Sequence, residues 1–304
     1  MNVYKDISHL PSFRNAVVTI GTFDGVHCGH RQIIQQLKEE AERINGETVL
    51  ITFHPHPRKV VGDTSGVKLL TTLEEKIELL EAEKIDHLVI APFNEAFANQ
   101  TAEAYVEDFL YKRFNPHTLI IGYDHRFGKK RKGDYHLLEA YGDKLGFVVK
   151  EIPEQVLQEA AISSTRIRKA LLQADITIAH SLLGYDYFFE GIVIEGDKLG
   201  RTLGYPTANL QLNNEEKLVP GDGVYAVSCE LQAISYKGMM YIGSRPVVNG
   251  KRRVIEVNIF DFDAAIYGET LRVTIKHFIR GDMHFDSLEA LRDQLAIDKV
   301  SADG

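Results

Sequence analysis

GTFDGVHCGHR, residues 21–31, stands between the apolar run 16–20 and a long amphipathic stretch that begins at His30. A short β-branched run, a glycine-bearing turn and a helix form the repeating unit of a parallel α/β sheet, in which ligands collect at the carboxyl ends of strands. Gly25 and Gly29 let a ligand approach the backbone, and the unpaired N–H groups of the coming helix suit an anion. His27 and His30, three residues apart, can donate hydrogen bonds to polyphosphate oxygens as charge moves onto them. A single histidine in such a loop reads more simply as a cap or a solvated side chain, so the whole string carries the signal. Neither G-x-x-x-x-G-K-[ST] nor G-x-G-x-x-G follows the first strand, so a phosphate held here is gripped in another way.

Outward from this string the same rhythm continues. Strands are expected at 16–20, 48–52, 87–91, 118–121 and 147–152, with helices at 30–44, 73–84, 102–114 and 135–145 between them. A further helix is expected to begin at Ser163 or Ser164 and to end near residue 174. Hydroxyls of Ser163, Ser164 and Thr165 at that start, with Arg168 one turn in, suit phosphate oxygens; a plain N-cap with a surface arginine explains them equally well. After about residue 183 short apolar segments at 191–194, 224–229, 254–259 and 271–275 alternate with Gly, Asn, Asp and Pro clusters, which predicts an antiparallel barrel. Leucines at 288, 291 and 295 predict one closing helix over 287–295. The expected architecture is α/β plus all-β, with domains at 1–183 and 184–304.

Composition narrows the function classes. With 304 residues, 44% hydrophobic and 26% charged, the chain can bury a sizeable core. Its longest apolar runs fall far short of the roughly 20 residues of a membrane span. The start MNVYKDISHLPSF lacks the features of a secretory signal, so a cytoplasmic protein is expected. Cys28 and Cys229, far apart in the chain, are expected to be reduced. A formal charge of -8 argues against a general nucleic-acid coat.

Four more segments could carry chemistry. FHPHP at 53–57 stiffens a strand exit, as a rigid turn or as part of a site. GYDHRFGKKRKGD at 122–134 includes a basic run, 129–132, that reads as a solvated loop. In GIVIEGDKLGRTLGYPTANL at 191–210, Gly196 and Gly200 allow a loop whose N–H groups could wrap a phosphate. There Thr207 and Asn209, two apart and on one face of an extended chain, offer hard oxygen ligands to Mg2+. Glu256 and Glu269 rank equally on spacing alone as proton acceptors. A different reading assembles zinc from His27, Cys28, His30, His54 and His56, although the paired C-x-x-C spacing of structural zinc is absent.

Taken together, His27-Cys28-Gly29-His30, FHPHP, GYDHRFG, ISSTRIR at 162–168 and PTAN at 206–209 resemble, in order, the prokaryotic bifunctional riboflavin kinase/FAD synthetase family. The resemblance spans nearly the whole chain. It implies a Rossmann-like HxGH nucleotidylyltransferase domain followed by a riboflavin-kinase β-barrel with a closing helix. It implies ATP as co-substrate with Mg2+, riboflavin, FMN and FAD as ligands, and no nucleic-acid or membrane partner. His27 and His30 would then act on the ATP triphosphate, with Gly21, Phe23, Asp24, Gly29, Ser163, Ser164, Thr165 and Arg168 around it. Phe53, Pro55, Pro57, Asp124 and Phe127 would meet the flavin. In the second half Gly196, Gly200 and Thr207 would bind ATP, Thr207 and Asn209 the metal, and Glu256 would be the catalytic base. Three positions depart from the family pattern: His125 stands where an aromatic is usual, and Tyr241 and Val247 replace its Asn and Thr. His125 keeps open a variant reading in which the adenylyltransferase site serves another phosphate substrate.

Overall fold

The computed structural model describes residues 1–61, 68–122, 125–196, 199–247 and 250–303, with side chains described throughout except at 157–162, 199, 245–247 and 250–252. The chain divides into two compact units, Met1–Ser164 and Thr165–Gly304.

The first unit is a six-stranded sheet of β1 (Asn2–Tyr4), β2 (Val17–Ile20), β3 (Thr48–His54), β4 (His87–Pro92), β5 (Thr118–Gly122) and β6 (Val148–Ile152). All neighbours are parallel, in the order β1-β4-β3-β2-β5-β6. β5 is buried at every residue and β3 at its first five, the mark of a sheet covered on both faces. The chain builds β3 and β4 on one side of β2 and then crosses to β5 on the other. That makes the carboxyl end of β2 a topological switch point. Helix Cys28–Arg43 turns Ile33, Ile34, Leu37 and Ala41 inward at helical spacing. Helix Leu73–Ala82 opens with a capping box of Thr72 and Glu75. The helix expected at 102–114 is present, but its middle, Tyr105–Tyr111, is wound as a π-helix that turns Tyr105 and Phe109 into the core.

Glu40 ties helix Cys28–Arg43 to the sheet. Its buried carboxylate accepts from Arg43 at 2.8 Å, from Lys150 Nζ on β6 at 2.7 Å and from Thr118 Oγ1 on β5 at 3.3 Å. Arg43, followed by Lys150, holds its pKa down to about 2 against the opposing effect of burial.

The second unit is a closed antiparallel barrel of β7 (Phe188–Ile194), β8 (Ala208–Leu212), β9 (Gly223–Leu231), β10 (Ile234–Val247), β11 (Gly250–Ile259) and β12 (Thr270–Arg280). The order is β10-β11-β8-β7-β12-β9, and β9 pairs with β10 to close the ring. Met240, Ile242, Ile255 and Val257 alternate with more polar neighbours and supply the interior. The closing helix is longer than expected, Leu288–Asp303. Asp298 on this helix is fully buried and grips Arg280 at the end of β12, with Nε–Oδ1 at 2.9 Å and Nη2–Oδ2 at 2.7 Å.

Replacing Glu40 by Gln should destabilise the protein by about 1–2 kcal/mol at pH 7, a figure discounted because Arg43 and Lys150 are largely exposed. Its carboxylate titrates lower in the fold than in the unfolded chain. The contribution is therefore complete above the ordinary pKa of 4.5 and lost as pH falls towards about 2. Denaturant titrations of both proteins should show the gap between them closing over that window.

Candidate active sites

The loop between β2 and the first helix is conformationally unusual. Phe23, Gly25 and Val26 have φ of 45°, 85° and 36°, and such a value in a β-branched valine requires support from its surroundings. Asp24 supplies it. Its buried carboxylate accepts from the backbone N–H groups of Leu70 and Thr71 at 3.1 and 3.0 Å and from Thr71 Oγ1 at 3.2 Å. Lys76 Nζ and Thr52 Oγ1 both donate to Thr22 O, at 2.7 and 3.1 Å. Asp24, expected among the ATP-binding residues, thus has a structural task in shaping the loop.

The loop delivers two imidazoles. His27 is fully buried and caps helix Cys28–Arg43, its Nδ1 accepting from the His30 N–H at 3.4 Å. With Nδ1 accepting, the proton of a neutral ring sits on Nε2, which donates to Ser164 Oγ at 2.6 Å. The His30 ring stacks on His27 at 3.7 Å between centroids, and Phe23 flanks it at 5.1 Å. Gly21 ends β2 and donates to Ile51 O at 3.0 Å, while the Phe23 ring folds back over its Cα. Gly29 is buried in the first helical turn. A capped helix start, two histidines and a serine at the switch point are suited to holding an anionic, polyphosphorylated ligand.

One expectation about this half is corrected. Ser163, Ser164 and Thr165 do not open a helix: helix Glu154–Leu172 encloses them, so their N–H groups are not a helix-start phosphate cradle. After Pro153 the stretch EQVLQEAAI has no breaker and is rich in helix formers, so the helix starts nine residues early. Ser164 still reaches His27, and Arg168 lies one turn further on, half-buried. Phe127, expected against the flavin, is packed in the core of the first unit. It is 5% exposed, stacks on Tyr105 at 4.6 Å, and pairs with Gly133, where a Cβ would stand 2.3 Å from its ring.

Phe53 is half-buried beside Phe93 and Phe97 at 5.4 and 5.5 Å. Pro55 follows it in the exit from β3, and Pro57 begins a short 3-10 turn, Pro57–Lys59. Asp124 lies outside the described residues. Among the described residues no three or more His, Cys, Asp or Glu side chains gather as a metal site, so the zinc grouping is not assembled.

In the second unit, Glu256 sits between Ile255 and Val257, which point into the barrel, so its side chain points out of it. That outward face is roofed. A cavity of about 240 Å³ opens there, lined by Glu256, Thr207, Gly200, Tyr241 and Arg280, with Leu291 and Leu295 from the closing helix. Glu256 stands opposite Asn209 on β8 and opposite Tyr241 on β10, so the three share one face. Gly196 packs against the Asn209 carboxamide so closely that a Cβ there would stand 2.0 Å from Nδ2. A second cavity of about 410 Å³ is lined by Arg201, Pro206, Phe262 and Tyr267, and Thr207 belongs to both. Sequence reasoning missed Arg201, Phe262, Tyr267, Arg280 and Phe285. FDFDAAIYG, which carries Phe262 and Tyr267, was the available signal. The hydroxyl of Thr207 and the carboxamide oxygen of Asn209 are neutral oxygen donors, which fit Mg2+ carried by phosphates and water. The side chain of Val247 lies outside those described.

Residues 10–166 match the family model for FAD synthetase and residues 183–303 the model for riboflavin kinase. A bifunctional riboflavin kinase/FMN adenylyltransferase from Haemophilus influenzae is 37% identical over 290 residues, covering 95% of this chain and 94% of its own. One from Bacillus subtilis is 38% identical over 293 residues, covering 94% and 91%. A crystal structure described as a macrolide-efflux protein from Streptococcus pneumoniae shares the fold, with TM-score 0.86 and 32% identity over 99% of this chain and 98% of its own. Among the described residues of the present chain no helix is long and apolar enough to cross a membrane.

His125 is half-buried, and its Nε2 is shielded from solvent with no hydrogen-bond partner among the described residues. Burial first, then the nearby charges of Arg131 and Arg126, bring its pKa down to about 4. Below the ordinary value of 6.5 the unfolded chain takes up a proton that the folded chain refuses. The contribution of His125 to stability should therefore be level above 6.5, fall by roughly 1–3 kcal/mol towards pH 4, and level off again. His125→Phe should make the slope between pH 6.5 and 5 shallower than in the wild type in denaturant titrations.

Proposed function

The chain belongs to the bifunctional riboflavin kinase/FMN adenylyltransferase family, and we propose that its two reactions are divided between its two halves, with the working boundary in sequence at 183/184 rather than at the 164/165 division of the compact units. The enzyme phosphorylates riboflavin with ATP to FMN, and adenylylates FMN with a second ATP to FAD and pyrophosphate. The observation that carries the division is that the candidate reactive groups fall in two separate clusters, His27 with His30 in one unit and Glu256 in the other.

In the kinase step the 5'-hydroxyl of riboflavin attacks the γ-phosphorus of ATP. Glu256 accepts the hydroxyl proton as the new O–P bond forms, and the bond to ADP breaks. The apolar part of the smaller cavity, with Phe285, Leu291 and Leu295, suits the flavin rings. The larger cavity, with Arg201, Phe262 and Tyr267, suits the nucleotide, and Thr207 stands where the two meet. Gly196 and Gly200 lie beside it in the loop we assign to ATP. Thr207 and Asn209 would hold Mg2+, which when bound offsets phosphate charge.

In the adenylylation step an FMN phosphate oxygen attacks the α-phosphorus of ATP and pyrophosphate leaves. His30 donates a hydrogen bond to the triphosphate as charge shifts onto the departing oxygens, and His27, held by Ser164 and by the helix start, fixes the His30 ring by stacking on it. Ser164 orients His27, with Phe23, Gly21 and Gly29 shaping the pocket and Thr165 and Arg168 assigned to the same nucleotide. Phe53, Pro55 and Pro57 are assigned to FMN. Positioning and charge stabilisation account for the rate without a covalent intermediate. The reduced thiols Cys28 and Cys229 support a cytoplasmic setting.

His30→Ala should lower FAD formation by about 100-fold or more while FMN formation persists. Glu256→Ala should lower FMN formation by about 100-fold or more and leave conversion of supplied FMN to FAD intact. Chromatography of the flavins, with pyrophosphate assayed alongside, reads both; a folded variant that lost both activities would refute separate sites.

A further inference from the structure

We propose that the basic turn Arg126–Lys132 is an electrostatic guide that draws FMN, through its phosphate, to the adenylylation site of the first unit. The proposal rests on the reading that the groups at the end of β2 carry out adenylylation.

Three observations carry it. The first is charge. Residues 125–134 hold five cations, Arg126, Lys129, Lys130, Arg131 and Lys132, against the one carboxylate of Asp134, in a chain whose formal charge is -8. All five cations are exposed. Arg126 meets Asp134 at 3.7 Å, and Glu103 lies within electrostatic reach of Lys132. Among the described residues, Lys129, Lys130, Arg131 and Lys132 have no acidic partner at ion-pair distance.

The second is place. β3, β2 and β5 are adjacent and parallel, so their carboxyl ends leave the sheet along one edge. The β2 exit brings His27 and His30, the β3 exit brings Arg58 and Lys59, and the β5 exit brings the basic turn. With strands about 4.8 Å apart, the β3 and β5 exits leave the sheet about 10 Å from each other, and the β2 exit lies between them. An anion approaching the end of β2 thus meets positive charge from both flanking exits. Such a field raises the local concentration of an oppositely charged ligand, most strongly at low ionic strength. FMN differs from riboflavin by a phosphate that carries about -1.5 to -2 charge at pH 7.

The third is that the turn is held. Lys130 and Arg131 have consecutive positive φ values of 58° and 57°, uncommon for residues other than glycine. Phe127 and Gly133 bridge the base of the turn, the Lys129 N–H donates to Gln100 O at 2.7 Å, and the Arg131 N–H donates to Gly128 O at 2.9 Å. A run that was only solvated could relax into an unstrained loop; this one is bonded into place. Like charges crowded on a strained turn cost stability, and an anion met from outside offsets that cost.

The test is the triple variant Lys129→Gln, Lys130→Gln and Lys132→Gln in the full chain at saturating ATP and Mg2+. At about 20 mM salt its KM for FMN in FAD formation should rise about 3- to 10-fold with kcat unchanged. At about 0.5 M salt the gap from the wild type should shrink below about 2-fold, because screening then acts within a few ångströms. Changing the same three lysines to Glu should widen the gap at low salt. A second triple, Lys84→Gln, Lys112→Gln and Lys144→Gln, removes the same charge where the chain leads into β4, β5 and β6, at the opposite edge of the sheet. Its KM for FMN should stay within about 2-fold of the wild type. FMN formation from riboflavin should be unchanged in every variant, and the unchanged kcat for FAD checks the fold of the first unit.

An unchanged KM at low salt overturns the guide, as does an equal rise in the second triple. A rise that persists at high salt, or a fall in kcat, means direct contact with the reacting groups and overturns guidance at a distance. A wild-type protein that makes no FAD from supplied FMN refutes the reading of the first unit, and the guide with it.

Discussion

The ion pair between Arg280 and Asp298 is the constraint on which the proposed kinase site depends. A carboxylate with no exposure, gripped by two guanidinium nitrogens, fixes the closing helix against the end of β12. Gln294 donates to the same carboxylate at 2.9 Å and completes its hydrogen bonding. Either charge left alone in that position would be costly, so helix and barrel are held in one arrangement. Without the helix, Glu256 would be one more carboxylate on the outside of a barrel. With it, the outer face gains a roof of Leu291 and Leu295, and an ordinary strand position becomes the wall of a cavity.

The first unit solves a related problem with different means. A parallel sheet buried on both faces has no room for reactive groups within it, and the ones proposed lie where β2 stops. The turn there is strained at Phe23 and Val26, and Asp24 stabilises it by bonding to residues 70 and 71 rather than to its own neighbours. His27 is positioned twice over, by its capping bond to His30 and by Ser164. The imidazoles are thus oriented before any ligand arrives, which is what electrostatic stabilisation of a moving charge requires.

Much of this was legible in the sequence because the signals were local. Alternating β-branched runs and amphipathic helices announce the parallel sheet, and the string 21–31 marks its switch point. What was not legible depends on distant partners or on the absence of a breaker. Ser163 and Ser164 look like caps, but the helix-forming stretch that precedes them carries the helix through. The β9–β10 turn is made by Gln232 and Ala233, both at positive φ, where glycine or asparagine would have given the hairpin away. β1 has three residues, too few for any periodicity. The placement of Phe127 in the core follows from the missing side chain of Gly133, and the surroundings of Glu256 follow from helix packing. Neither can be read from the residue itself.

The closure of the barrel has a consequence for how the molecule keeps to itself. A ring in which β9 meets β10 has no edge strand, and only the outer part of the β10–β11 hairpin, which runs past β9 and β8, is paired on one side alone. The open sheet of the other unit has two such borders, and each is blunted differently. β1 is only three residues long, and β6 carries Lys150 and Glu151 in its span. Brevity on one side and charge on the other keep the borders of this sheet from seeding aggregation.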